Sequence, residues 1–498
     1  MKIYIINNTL RYETENIVRV FFPNEKLEIV DVDSQNTVLM EKPYLSTELS
    51  DTENGKLIRV NIYLENYVRE ISDRVDFCEN ENDYLDEQER KVAVCIYRLL
   101  TEYTKIIPPW GILTGVRPIK LFRRLREKYG LEYAQSYFKE KLLVSDDKIS
   151  LCTETEHNEN AIICQSADNS YSLYISIPFC PTRCSYCSFV SQSTEKTAKL
   201  IEPYVELLCQ ELIYTAEILS HYPLKLETVY IGGGTPTTLN NRQLQKLLTV
   251  INQYFPMEQC REFTVEAGRP DTVNAEKLKV MLDSGVNRIS INPQTMNDDI
   301  LKAIGRKHTA KQTTDAFSLA RKIGFSHINM DLIAGLPDES FESFQNTLSE
   351  ITALDPESIT VHTLAMKRSS HLTAQGMNIV KENADTACKM HTYCRKILQT
   401  NGYKPYYLYR QSRMVGNLEN IGYARKGFEG LYNVYIMDET HSIIACGGGA
   451  VTKLKNPYDG TLQRIFNYKY PYEYIDRFEE ILKRKDEILN FFDTVLAV

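Results

Sequence analysis

Hydrophobic and polar positions follow two rhythms along this chain. Over residues 1–168, short β-rich runs at 2–6, 18–22, 27–32 and 57–64 come first. A helical stripe follows from about 86 to 104, carried by Val92, Cys95, Ile96, Leu99 and Tyr103. The stretch from Pro108 to Pro118 is punctuated by proline and glycine, which predicts a turn, and its Trp110 is expected to anchor that turn against a core. The polar runs 153–160 and 165–170 read as a linker.

From Tyr171 the rhythm changes. β-runs near 173–178, 228–232, 262–267, 287–292, 327–332 and 358–363 alternate with amphipathic segments at 197–221, 241–254, 272–284, 309–323, 341–353 and 383–400. That alternation predicts βα units around a parallel sheet. Six units make an α/β fold with a partial (β/α)6 barrel, in which functional residues collect at the C-terminal ends of the strands. Residues 403–498 read as a mixed tail, with strand-like runs at 406–409 and 434–437, a glycine turn at 447–449 and a helix near 472–489. The expected division is an N-terminal α+β domain at 1–168, the barrel at 169–380, and a C-terminal mixed extension at 381–498 covering the substrate.

Composition changes this picture little. A net charge of −8 argues against a general nucleic-acid binder, and no apolar run approaches the roughly 18 residues of a membrane-spanning helix. Twelve cysteines in 498 residues are too sparse for a disulfide scaffold. A cytoplasmic location, with reduced thiols serving as ligands, is the expectation.

The sharpest chemical signal is Cys180-Pro181-Thr182-Arg183-Cys184-Ser185-Tyr186-Cys187, just past a predicted strand end. A structural zinc site takes four ligands, usually in two pairs, and no second CxxC pair exists here. A [4Fe–4S] cubane has four iron corners, so three thiolates leave one iron open. That iron can chelate the amino and carboxylate groups of S-adenosylmethionine (SAM). An electron passed to the sulfonium then yields a 5′-deoxyadenosyl radical.

With this loop the sequence resembles the radical SAM superfamily. Its surroundings are similar to the branch of oxygen-independent coproporphyrinogen dehydrogenases, HemW-type haem chaperones and anaerobic haem-degrading enzymes. The Trp110–Gly115 turn and the stretch from Tyr409 to Asn420 look most like the HemZ subgroup. The resemblance implies a [4Fe–4S] cluster on Cys180, Cys184 and Cys187. It implies SAM contacts from Tyr174 and Tyr186 flanking the cofactor, and from Gly233, Gly234 and Thr235 as an amino-group clamp. Glu266, Gln294, Arg306, Asp331 and Ala365 complete the implied set. Alone, Gly232-Gly233-Gly234 reads as a tight βα turn, and an isolated glutamine or arginine as a surface residue; order and spacing decide for the site.

The implied reaction is oxidative decarboxylation of coproporphyrinogen III propionates to vinyl groups. A porphyrinogen or porphyrin substrate and a flavodoxin- or ferredoxin-type electron donor are the implied partners, with no nucleic acid and no membrane insertion. One departure matters: where the best-marked dehydrogenases carry a fourth cysteine, this chain has Phe189. That keeps open a haem-binding chaperone or a haem-degrading methyltransferase. Lys367, Arg368, Arg410, Arg413 and Lys453 are available to grip carboxylates. His308 divides evenly between packing and function, His362 reads as structural, and Cys446 is a weak second ligand. Cys209, Cys260, Cys388 and Cys394 read as buried apolar residues.

Overall fold

The computed structural model describes residues 1–32, 40–78, 80–187, 189, 191–365 and 383–496. Lys367, Arg368 and the expected boundary at 380 lie outside them. Two units form. The first comprises the described residues within Met1–Thr153, Gly376–Asp385 and Arg410–Glu419; the second comprises those within Glu154–Gln375, Thr386–Tyr409 and Asn420–Val498.

In the first unit, β1 (Lys2–Ile6), α1 (Arg11–Phe21), β2 (Glu28–Val32), β3 (Tyr44–Thr52), β4 (Gly55–Leu64) and β5 (Tyr67–Asp76) precede α2 (Glu81–Thr104), α3 (Pro118–Tyr129) and α4 (Leu131–Ser136). The sheet order is β2-β1-β3-β4-β5, with β1 parallel to β2 and β3 and the rest antiparallel. The expected strand at 18–22 is instead the end of α1. Thr14, Ile17, Val18 and Phe21 are buried at helical spacing, and that stripe outweighs the β-branched content. Trp110 is fully buried, as the turn reading requires. Gly111 there has φ +57°, and a Cβ would lie 2.0 Å from the Leu142 carbonyl oxygen, so only glycine fits.

The expected linker at 153–160 is helix. α5 (Asp146–Ile163) runs straight through it, because Thr155, Glu156 and Glu159 are buried rather than solvated.

The second unit carries the barrel. β6 (Ser170–Ile177) leads through the short pair β7 (Phe179–Cys180) and β8 (Gln192–Ser193) to α6 (Thr194–Leu219). Then come β9 (Lys225–Gly233), α7 (Asn241–Tyr254), β10 (Glu262–Glu266), α8 (Ala275–Asp283), β11 (Arg288–Ser290), α9 (Asp298–Ala303), α10 (Ala310–Ile323), β12 (Ile328–Ala334), α11 (Phe341–Leu354) and β13 (Ser358–Thr363). These six strands pair in parallel and in chain order, β6-β9-β10-β11-β12-β13, which is the expected partial barrel. Capping is local and readable: Asn240 and Thr309 each make a capping box with a glutamine three residues on.

The tail extends this sheet at both edges. After α12 (Ala384–Thr400), β14 (Lys404–Tyr409) and β15 (Asn420–Ala424) add antiparallel outside β13. β16 (Ser442–Cys446) adds parallel outside β6, followed by β17 (Val451–Lys455) and β18 (Leu462–Phe466). The expected strand at 434–437 is helical, α13 (Leu431–Asp438). Its first amides are capped from far away: the Glu262 carboxylate accepts from the Leu431 amide at 2.6 Å and the Tyr432 amide at 3.4 Å. The final helix is two, α14 (Pro471–Asp476) and α15 (Phe478–Leu496), broken at Arg477. No helix among the described residues is long and apolar enough to cross a membrane.

Candidate functional site

One face of the barrel sheet is apolar, with Leu173, Ile175, Val229, Ile231, Val265, Met330 and Val361 buried there. The alternate positions, two residues apart along each strand, form a polar and aromatic face. Its side chains bond across strands: Ser172 to Thr228 at 2.6 Å, Asn329 to Ser290 at 2.8 Å, and Thr360 to Asn329 at 3.2 Å. Tyr432, from α13, stacks on Tyr230 at 4.5 Å and on Tyr174 at 6.1 Å between ring centres.

Two carboxyls stand on this face. Tyr230 donates its phenol hydrogen to Glu266 Oε1 at 2.6 Å. Burial pushes the Glu266 carboxyl up to about 7, and nearby Asp331 adds to the rise. Asp331 behaves oppositely. Burial works against its charge, but His362 (Nε2 to Oδ2, 3.7 Å) and Asn329 (Nδ2 to Oδ1, 2.7 Å) hold it below the usual range. Two neighbouring carboxyls are thus set to different protonation states. Asp331 is the fourth residue of β12, which runs on to Ala334. His362, expected to be structural, belongs to this same group.

Linkage gives a test. Glu266 binds its proton more tightly in the folded chain than at its ordinary value of 4.5. Its stabilising contribution is therefore complete below about pH 4.5 and lost as pH rises through about 7. Glu266→Gln keeps an acceptor for Tyr230 and removes the titration. Its melting temperature is expected to gain on the wild type progressively from pH 5 to pH 8. Parallel pH profiles for the two proteins would contradict the assignment.

The cysteine loop lies above, between β7 and β8. Those strands pair in parallel, Phe179 with Gln192 and Cys180 with Ser193, closing the excursion at its base. The glycine turn after β9 folds onto it: the Gly234 amide donates to the Ile177 carbonyl at 2.8 Å, and the Thr235 amide to the Phe179 carbonyl at 2.7 Å. A Cβ on Gly234 would lie 2.6 Å from the Phe179 carbonyl oxygen. The glycine is therefore required by the approach of the two loops, and its amide and that of Thr235 are already engaged. Thr235 Oγ1 donates to Cys180 Sγ at 3.5 Å.

The thiols sense one another. Burial, with Cys184 and Cys180 adding, pushes the Cys187 thiol up to about 11; burial also raises Cys180, opposed by the Thr235 and Ser191 hydroxyls. Among the described residues no three His, Cys, Asp or Glu side chains converge at the spacing of a single metal ion. Arg306 is buried against this loop. Its Nη1 donates to the Asn292 carbonyl, and burial against its charge is outweighed by the neighbouring Tyr186 and Cys184, which favour it. Gln294 sits at φ +70°, a strained value for a side-chain residue, and its buried Oε1 has no protein partner. Arg306 Nε likewise has none. Orphaned buried polar atoms, one on Arg306 by the thiol loop and one on Gln294 against β12, fit a bound cluster and a polar ligand.

The sequence-expected residues therefore fall into two groups. Cys180, Cys184, Cys187, Tyr186, Thr235, Gly234 and Arg306 come together around the loop; Tyr174, Glu266 and Asp331 lie on the polar face. Ala365 follows β13 beside the undescribed stretch 366–382. Arg410 belongs to the first unit, where its guanidinium bonds the Leu113, Gly115 and Asn417 carbonyls. Cys446 is inside the core beside Thr215, its thiol pushed up to about 12 by burial, and Cys388 is exposed, not buried. Tyr230, Asn329 and Tyr432 were not singled out by sequence. Period-two polarity in Thr228-Val229-Tyr230 and Asn329-Met330-Asp331 is the signal that marks the first two.

Residues 174–351 match the model of the Radical SAM superfamily. The chain is 38% identical to the oxygen-independent coproporphyrinogen-III oxidase-like protein HemZ of Bacillus subtilis (strain 168), over 82% of this chain and 83% of that protein. The chain belongs to the HemN/HemW/HemZ family of radical SAM proteins. The heme chaperone HemW of the same organism is 40% identical over 39% of this chain and 51% of its own length. The solved coproporphyrinogen III oxidase HemN of Escherichia coli superposes with a TM-score of 0.51 at 22% identity, covering 64% of this chain and 71% of that one, which supports the fold. Radical SAM proteins use a [4Fe–4S] cluster and SAM, and the loop described above has the three thiols that such a cluster takes.

Proposed function

We propose that this chain is a radical SAM oxidoreductase of porphyrin metabolism that decarboxylates coproporphyrinogen III propionates to vinyl groups, giving protoporphyrinogen IX. The observation that carries the reading is the pairing of a three-thiol loop with a polar barrel face whose two carboxyls are oppositely tuned. Cys180, Cys184 and Cys187 would hold the cluster, with Tyr174, Tyr186, Gly233, Gly234, Thr235, Glu266, Gln294, Arg306, Asp331 and Ala365 around SAM. The bound group supplies one-electron, hydrogen-abstracting chemistry. Arg306 suits a carboxylate through its planar fork. Glu266 can hold a proton near neutral pH while Asp331 stays charged. Each round removes one hydrogen atom from the propionate β-carbon, then CO2 and one electron to an external acceptor. The likeness to HemZ over most of both chains supports this reading.

A second reading, haem binding or delivery of the HemW kind, has its own observation. Phe189 replaces the fourth cysteine and is 64% exposed beside Cys187, an apolar ring held in water. One anaerobic experiment separates the two. Reconstituted protein, SAM, a chemical reductant and coproporphyrinogen III are expected to give substrate-dependent 5′-deoxyadenosine and vinyl product. Neither product, together with stable stoichiometric haem binding, would favour the second reading and end the first.

A further inference from the structure

We propose that Arg269 is a positioning residue for the cysteine loop, fixing its path through Thr182 and easing reduction of the cluster by its buried positive charge. The proposal rests on the family's cluster and on no particular substrate. Arg269 leaves β10 in the turn Gly268-Arg269-Pro270-Asp271 and is only 2% exposed. Its Nη1 donates to Thr182 Oγ1 at 3.0 Å and to the Thr182 carbonyl at 3.4 Å. Its Nε and Nη2 hold the two Asp271 carboxylate oxygens at 3.1 and 3.3 Å.

Thr182 lies between Cys180 and Cys184, so whatever holds it limits where both thiols can go. The threonine hydroxyl donates onward to the Gly305 carbonyl at 3.0 Å, and the Ser185 amide donates to the Ile304 carbonyl at 3.0 Å. Arg306 closes the circuit by donating from Nη1 to the Gly268 carbonyl at 3.4 Å. Three loops, after β7, β10 and α9, are thereby tied to one another, and Arg269 is the side chain that reaches from the second to the first.

The charge has a separate consequence. A buried guanidinium always carries its charge and is screened little by salt. Asp271 balances it on the side away from Thr182. Through its bonds to Thr182 the cation stands against the cysteine loop itself, and it helps burial and Arg306 hold His308 down at about 3. Taking up an electron makes an iron–sulfur cluster more negative, and a fixed cation nearby favours that state.

The test uses the full chain reconstituted with iron and sulfide, without substrate, and so stands apart from the fate of the decarboxylase reading. Arg269→Met is expected to lose iron to a chelator faster than the wild type. Its cluster should also be about tenfold harder to reduce at a fixed potential, a downward midpoint shift of about 59 mV for one electron. Arg269→Lys keeps the charge without the fork, and is expected to hold the wild-type midpoint while still losing iron faster. An unchanged midpoint in Arg269→Met overturns the proposal. Should that variant fail to fold, Arg269→Lys decides, and wild-type iron retention there overturns it.

Discussion

Replacing Cys184 by alanine is expected to leave a folded chain with no cluster and no turnover. Three thiolates are the minimum that grips a cubane while leaving one iron for SAM, so removal of one leaves two corners unheld. Cys184 is the central thiol of the three in the chain and lies next to Ser185, whose amide is tied to the Ile304 carbonyl. The main-chain bond from the Cys187 amide to the Cys184 carbonyl, 3.2 Å, survives the substitution, as does the pairing of β7 with β8. The loop should therefore keep its outline and lose only its grip. Iron per chain and visible absorbance are expected to fall to background, and SAM cleavage with them, while the unfolding midpoint stays within the small range of a minor side-chain truncation. Cys446→Ala is the control: that thiol lies in the core beside Thr215, and its loss should leave the iron count unchanged. Iron retained in Cys184→Ala would show that these thiols are not the ligands.

The barrel was legible because its strands and helices announce themselves locally. α7 is found at 241–254 as expected, since an asparagine cap, a glutamine three residues on and a clean apolar stripe all agree. The cysteine loop was equally easy to find, because its spacing stands out in the chain. The misreadings share a cause. α13 looks like a strand in sequence and becomes a helix because Glu262, far away in the chain, caps its first turn. α5 looks like a linker because its polar side chains are turned inward, which no single-residue polarity can show. At the site, the residue types were readable but not their division of labour. Gly234 had been expected to approach a ligand, yet its missing Cβ is required first by the Phe179 carbonyl. His362 gains meaning only through the register that sets β13 beside β12 and brings it to Asp331.

In the first unit, Glu419→Ala is expected to cost about 3–5 kcal/mol, the usual penalty for removing one partner from a buried ion pair. Glu419 is fully buried and accepts from Trp110 Nε1 at 2.7 Å and from Lys148 Nζ at 2.6 Å. Arg410 lies over the Trp110 ring, 5.3 Å from its centre, and burial pushes that guanidinium down to about 10 while Glu419 opposes the fall. One carboxylate thus serves an indole donor and two buried cations. Without it, Lys148 keeps, among the described residues, only the distant, largely exposed Asp147 at 3.9 Å, and Trp110 loses its acceptor. Against a typical domain stability of about 5–15 kcal/mol, that loss is severe. With urea slopes of roughly 1–3 kcal/mol per molar, the transition of this unit should move down by about 2 M. Glu419→Gln keeps an oxygen for Trp110 and should recover part of the loss. The double change Glu419→Met with Lys148→Met should be milder than Glu419→Ala alone, because it removes both charges instead of stranding one. A single alanine variant with a wild-type transition would mean that the buried charges find water or another carboxylate, and that the tryptophan turn is held by packing.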